Sequence, residues 1–169
     1  MWISARRVVM VYCLVALLMP VASGLTQSDK RHAIDDKMSA HMKAMHALKK
    51  RIPEEYRIMD RTPISPDDQS LSQGQQVFNQ QCANCHGNNG RGDGPAAKGL
   101  STLPANFLDL EHSAIYGPGE KFWIIGNGSS ETGMPAFPQI GLRDRWNLVN
   151  YIYKLQGKNT LSHGKSHTH

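Results

Sequence analysis

The chain has 169 residues, 40% hydrophobic and 20% charged, with a net charge of +5, part of it from Arg6 and Arg7 near the N-terminus. So mild a basicity, with aromatic residues not interleaved among basic clusters, gives no case for a nucleic-acid-binding surface. Three cysteines are one short of two C-x-x-C pairs, which argues against a structural zinc site.

In chain order, the basic pair Arg6-Arg7, the apolar run 8–18, Pro20 and the small residues Ala22, Ser23 and Gly24 have the layout of a secretory signal peptide. The run is too short for a confident membrane span, so residues 1–24 are expected to direct export to the periplasm. Membrane contact would come only through an uncleaved signal or a membrane complex. Cys13 is not read as a lipid-attachment site, because bulky Tyr12 precedes it.

Residues 25–68 are expected to be a helical extension and linker. Met38, His41, Met42, Met45 and His46 fall at i, i+3, i+4, i+7 and i+8, one face of a helix whose thioethers and imidazoles suit copper, Cu(I) especially. The same spacing, extended by Ile34 and Leu48, is that of an amphipathic helix that packs or docks on a partner, and this second reading is the favoured one. Pro53-Glu54-Glu55-Tyr56 reads as a short helix with proline in its first turn and acids at the positive end of its dipole. Residues 61–68, with Pro63 and Pro66, are expected to be extended and exposed.

A compact domain is expected over 69–157. Ser70 and Gln73 form a candidate capping box. Leu71, Gly74, Val77, Phe78 and Cys82 then recur at helical spacing, so the apolar face of this helix carries the first cysteine toward the core. Gly74 costs about 1 kcal/mol inside a helix, and close approach of another helix is the expected compensation.

Cys82-Ala83-Asn84-Cys85-His86 is C-x-x-C-H, the attachment signature of a c-type haem. Each cysteine is expected to form a thioether with a haem vinyl group, and His86 to be an axial ligand of the iron. A dithiol redox pair would want a strand before the motif, whereas a helix precedes it and a glycine-rich loop follows. An ordinary disulfide would leave His86 without a role. One motif means one haem at most.

Prolines 95, 104, 118, 135 and 138 break the following segment into loops, no run alternates, and residues 119–127 form a short helical candidate. Met134 is the only methionine after His86. Gly133 lets the backbone pass close to a ring and Pro135 pushes Met134 toward extended geometry, so Met134 is the candidate second axial ligand. His112, in a polar stretch, is the competing candidate. Trp146, Leu148, Val149, Tyr151, Ile152 and Leu155 make a C-terminal helix ended by Gly157. Residues 158–169, with His163, His167 and His169, are expected to be a flexible tail able at most to bind metal weakly.

Gly74 and Phe78 leading into Cys82, the C-x-x-C-H itself, Gly133-Met134-Pro135, and Leu148 with Tyr151 together resemble the class I monohaem cytochromes c over 71–156. Gly92-Asp93-Gly94-Pro95, Pro104-Ala105-Asn106-Phe107 and Met134-Pro135-Ala136-Phe137 are similar to the branch holding the small haem subunits of haem-copper oxidases and many periplasmic carriers. The resemblance implies an all-α, cytochrome c-like fold in which the first and last helices cross at Gly74 beside Phe78 and Tyr151. It also implies a backbone carbonyl near Pro95 that accepts from the His86 ring, and Phe107 and Trp123 packed around the porphyrin.

Electron transfer by one covalent haem c with His/Met ligation, exchanging electrons with redox partner proteins, is the function these readings converge on. No acid–base pair or nucleophile constellation is present, so catalysis is not expected. A copper-binding or copper-tolerance protein with an accessory haem domain, and a haem-based ligand sensor, are the alternatives.

Overall fold

The computed structural model describes residues 26–157; the expected signal peptide and the tail from residue 158 lie outside the described residues. Regular structure among the described residues is helical: α1 (Gln27–Arg51), α2 (Glu54–Arg57), α3 (Asp68–Gln81), α4 (Ala83–His86), a 3-10 turn (Pro95–Gly99), α5 (Leu110–Ser113), α6 (Pro118–Asn127) and α7 (Leu142–Leu155). The only strand-like pairing described is an isolated bridge between Ser129 and Met134. The fold is all-α. No described helix is long and apolar enough to cross a membrane.

The chain divides into two units, with the boundary between Asp35 and Asp36. In the first, the backbone N–H and hydroxyl of Thr26 donate to Asp29 Oδ2 at 2.8 and 2.7 Å, tying the start of α1 to its first turn. The second contains everything described below.

Its frame is the crossing of α3 and α7. Val77 and Phe78 on α3 meet Leu148, Val149, Tyr151 and Ile152 on α7, all of them buried. Phe78, with no exposed surface, gains roughly 1.5–3 kcal/mol from that burial. A Cβ on Gly74 would lie 2.1 Å from the Asn147 carbonyl oxygen and 2.9 Å from Tyr151 Cβ, so only glycine lets the helices approach this closely. The Phe78 and Tyr151 rings pack beside the crossing with centroids 5.4 Å apart. Gly157, at φ +67°, follows α7 as its left-handed cap.

Two expectations are corrected here. The cap of α3 is Asp67, whose Oδ1 accepts from the Ser70 N–H at 2.8 Å, and not Ser70. Ser70 is instead buried, where its hydroxyl donates to Asn147 Oδ1 at 2.8 Å and accepts from Asn150 Nδ2 at 3.0 Å. The linker 61–68 is not exposed throughout: Asn150 Nδ2 also donates to the Ile64 carbonyl at 3.1 Å, and Thr62 donates to Asn150 Oδ1 at 2.7 Å. Asn150 is 1% exposed, and a side chain so deep must satisfy both ends of its amide, which pins the linker to α7.

The C-terminal half of α1 packs as part of this unit. Met45, Leu48 and Ile52 are buried, and Leu48 and Ile52 form a cluster with Ile124 of α6, flanked by Trp123, Tyr116 and Met134. The Tyr116 hydroxyl donates to the Met45 carbonyl at 2.8 Å. Lys49 Nζ donates to the Ile115 carbonyl and reaches Glu120 Oε2 at 3.3 Å, while Arg51 pairs with Glu131.

Candidate functional site

Cys82, Cys85, His86 and Met134 line one cavity, although they come from the end of α3, from α4 and from a loop nearly fifty positions later. The space measures about 1140 Å³ with its open mouth included. Its walls are mostly apolar. Phe107, Ile124, Ile125 and Ile152 face it from three directions, and Leu48 of α1 closes another side.

The two cysteines are free thiols despite being three residues apart. Burial, helped by neighbouring Cys85, pushes the Cys82 thiol up to about 12, so it stays protonated at neutral pH. The His86 ring is stacked on Phe107, with centroids 4.9 Å apart and planes inclined by 19°. Its Nδ1 lies 3.1 Å from the Ala105 carbonyl, which can only accept, so the proton sits on Nδ1 and the Nε2 lone pair is left available. Burial holds this imidazole below its ordinary value against a smaller opposing pull from that carbonyl, which keeps it neutral. A neutral imidazole with a buttressed Nδ1–H is the form that ligates a metal.

The carbonyl was expected near Pro95, and this is corrected: Ala105 provides it. Gly94 is pressed against the Asn84 and Ala83 carbonyls, its N–H donating to the Cys85 carbonyl at 3.1 Å, so Pro95 begins a turn beside α4. The segment that reaches the ring is 104–107, drawn in by the Phe107 N–H donating to the Gly90 carbonyl at 2.7 Å. Gly92, at φ +75°, lets it pass, since a Cβ there would stand 2.5 Å from the Pro104 carbonyl oxygen.

Met134 is half-buried. The Ser129 N–H donates to its carbonyl at 2.8 Å, closing a loop whose glycines 128 and 133 both have positive φ. That loop is what turns the thioether toward the cavity. His112 does not line the cavity; it sits on α5 with Nδ1 2.6 Å from Asp109 Oδ2. Phe107 lines the cavity and Trp123 does not. At about 100° per residue, α6 turns Lys121, Ile124 and Ile125 to the cavity and leaves Trp123 against the cluster of Leu48, Ile52 and Ile124.

The Met/His face of α1 is divided. His41 and Met45 line the cavity, Met42 is half-buried, and Met38 and His46 are exposed. Among the described residues no group of three or more His, Cys, Asp or Glu side chains is placed to hold a metal ion. Residues that sequence reasoning missed are Ala105, Tyr116, Lys121 and Leu48. Only Leu48 had a signal, its place on the amphipathic stripe.

Residues 69–152 match the family model of cytochrome c oxidase, cbb3-type, subunit III. The chain belongs to the class I cytochromes c. A cytochrome c domain carries haem c and transfers electrons through it, and the cavity fits that group: two thiols, a neutral imidazole with its proton fixed, and a thioether open into one apolar space. In a structural comparison, this cytochrome c chain aligns with a chain of the Kuenenia stuttgartiensis reducing HAO-like protein complex Kustc0457/Kustc0458 at 26% identity and a TM-score of 0.49. The alignment covers 55% of the present chain and 46% of the other, less than half of that neighbour's length. No curated protein matches the chain.

Proposed function

We propose that the domain over 69–157 holds one haem c through thioethers at Cys82 and Cys85, with His86 and Met134 as axial ligands, and that the protein carries single electrons as an exported carrier or as the carrier subunit of a redox complex. The observation that carries this reading is the convergence of those four side chains on one cavity, with His86 already fixed in the ligating tautomer. Attachment adds each S–H across a vinyl group, sulfur to one carbon and hydrogen to the other, so it consumes no oxidant. When bound, the group supplies a one-electron iron couple.

The chain's own residues do the rest. Phe107 and Ala105 hold the His86 ring, the Gly128–Gly133 loop presents Met134, and Ile124, Ile125, Ile152 and Leu48 exclude water from the space between. A thioether in the second axial position leaves no site for a small ligand, which fits transfer and not chemistry on a substrate. The apolar segment at 8–18 behind Arg6 and Arg7 supports export, where covalent haem attachment would take place.

The test is the absorption spectrum of protein recovered from the periplasm of a host competent in haem attachment. Haem that stays with the chain in acidified organic solvent and shows a two-thioether pyridine spectrum is expected, as is loss of the thioether-to-iron charge-transfer band in Met134→Ala. A chain without covalent haem ends the reading.

A further inference from the structure

The cavity wall is mostly apolar, and part of it is built by the extension. His41 lines it from α1. One turn later on the same helix, the Met45 carbonyl accepts from the Tyr116 hydroxyl at 2.8 Å. Lys121, also on the cavity wall, donates to the Ser113 carbonyl at 3.2 Å and to the Tyr116 carbonyl. His41, Ser113, Tyr116 and Lys121 are thus polar members of a mostly apolar wall that also includes Gln81, Thr102 and Thr132. His41 Nδ1 is buried and has no hydrogen-bond partner. Such an atom costs about 1–3 kcal/mol unless something absent from the bare chain satisfies it. Burial favours the neutral form of the His41 ring, helped by the charge of nearby His112, and in that form one ring nitrogen still donates.

A haem is apolar around its periphery apart from two carboxylates, and a carboxylate covered by protein needs hydrogen-bond donors. We propose that His41 is a cofactor-binding residue, its ring N–H donating to a haem carboxylate, and that α1 is thereby part of the haem site and not a separate copper module. The inference rests on the haem reading above. It assigns α1 a role that the match over 69–152 does not contain.

The experiment uses the full exported chain in four forms: wild type, His41→Phe, His41→Gln, and His46→Ala as an exposed control on the same helix. Each is first checked for covalent haem, so that failure of the haem reading shows separately. Resonance Raman is then recorded across the carboxylate bending region, and reduction potentials are measured. In His41→Phe the bending band is expected to shift and the potential to fall, because a less neutralised carboxylate favours the ferric state. His41→Gln keeps a donor and is expected to stay near wild type, as is His46→Ala. If His41→Phe does not accumulate, His41→Leu takes its place. An unmoved band in the apolar variant overturns the proposal. So does an equal shift in His41→Gln, which would report packing, or loss of a low-spin spectrum that added imidazole restores, which would make His41 an iron ligand.

Discussion

At the residue scale the site depends on glycines as much as on the side chains proposed to hold the haem. Gly92 has φ +75°, and the 2.5 Å that would separate its Cβ from the Pro104 carbonyl oxygen means any side chain there pushes segment 104–105 outward. That movement removes the Ala105 carbonyl from His86 Nδ1. Gly92→Ala should therefore lose about 1–3 kcal/mol in denaturant titration and raise the reduction potential, because an imidazole without its Nδ1 acceptor is a poorer donor to ferric iron. A loss of stability with an unmoved potential would show that the carbonyl does not tune the ring. The five residues from Cys82 to His86 could be read as a haem signature because such a signature is local. The Ala105 acceptor could not be read in this way, since which carbonyl meets a ring nineteen positions away depends on how two loops fold together. The same ring sets a pH dependence. His86 is held below its ordinary 6.5, so below that pH the unfolded chain takes up a proton that the folded one refuses. Stability is then fully present above 6.5 and declines on acidification toward the lowered folded value, with a slope of at most about 1.4 kcal/mol per pH unit for the one group. Half-buried His41, its pKa lowered by burial and by His112, acts in the same direction. Denaturation midpoints between pH 7.5 and 5 check this, and a midpoint that rises on acidification would contradict it.

At the scale of elements, the α3–α7 crossing carries the site, because α3 ends at Cys82 and α7 contributes Ile152 to the cavity wall. A methyl group on Gly74 would sit 2.1 Å from the Asn147 carbonyl oxygen, a backbone atom that cannot swing aside. Gly74→Ala should cost about 1–3 kcal/mol by overpacking, while Gln76→Ala, on the exposed side of the same helix, should leave the denaturation midpoint unchanged. Equal midpoints for the two variants would remove the crossing as the reason for the glycine. Gly74 was legible as a close approach because a glycine inside a strong helical stripe has few other uses. The cap was misplaced by one turn for a related reason. Ser70 and Asp67 are both good caps, and what decides between them is the pair Asn147 and Asn150, which take Ser70 into the interior from eighty residues away. Trp123 shows the same limit: its helix is apolar on two sides, and a sequence pattern does not say which neighbour each side meets.

At the scale of the molecule, residues beyond the family match complete the cavity. The stripe on α1 was legible as an amphipathic face, and its partner was not, because the partner is assembled from α6, Tyr116 and the Met134 loop, which are distant in sequence. Leu48 is the point where this closure is concentrated: it is 2% exposed, lines the cavity and packs with Ile124 and Ile52. Truncating it to alanine removes apolar wall beside the loop that presents Met134, and large-to-small changes at such positions cost about 2–5 kcal/mol, more where the walls cannot collapse. With haem held as proposed, the walls could not collapse far. Leu48→Ala should therefore show both a lower denaturation midpoint and faster binding of cyanide to the ferric protein, because water and small anions gain a path to the side on which Met134 lies. Ala47→Ser, exposed one position away, should show neither. The two readouts separate two roles of the helix. A stability loss without faster cyanide binding would make α1 a structural buttress, whereas both changes together would make it a lid over the Met134 thioether.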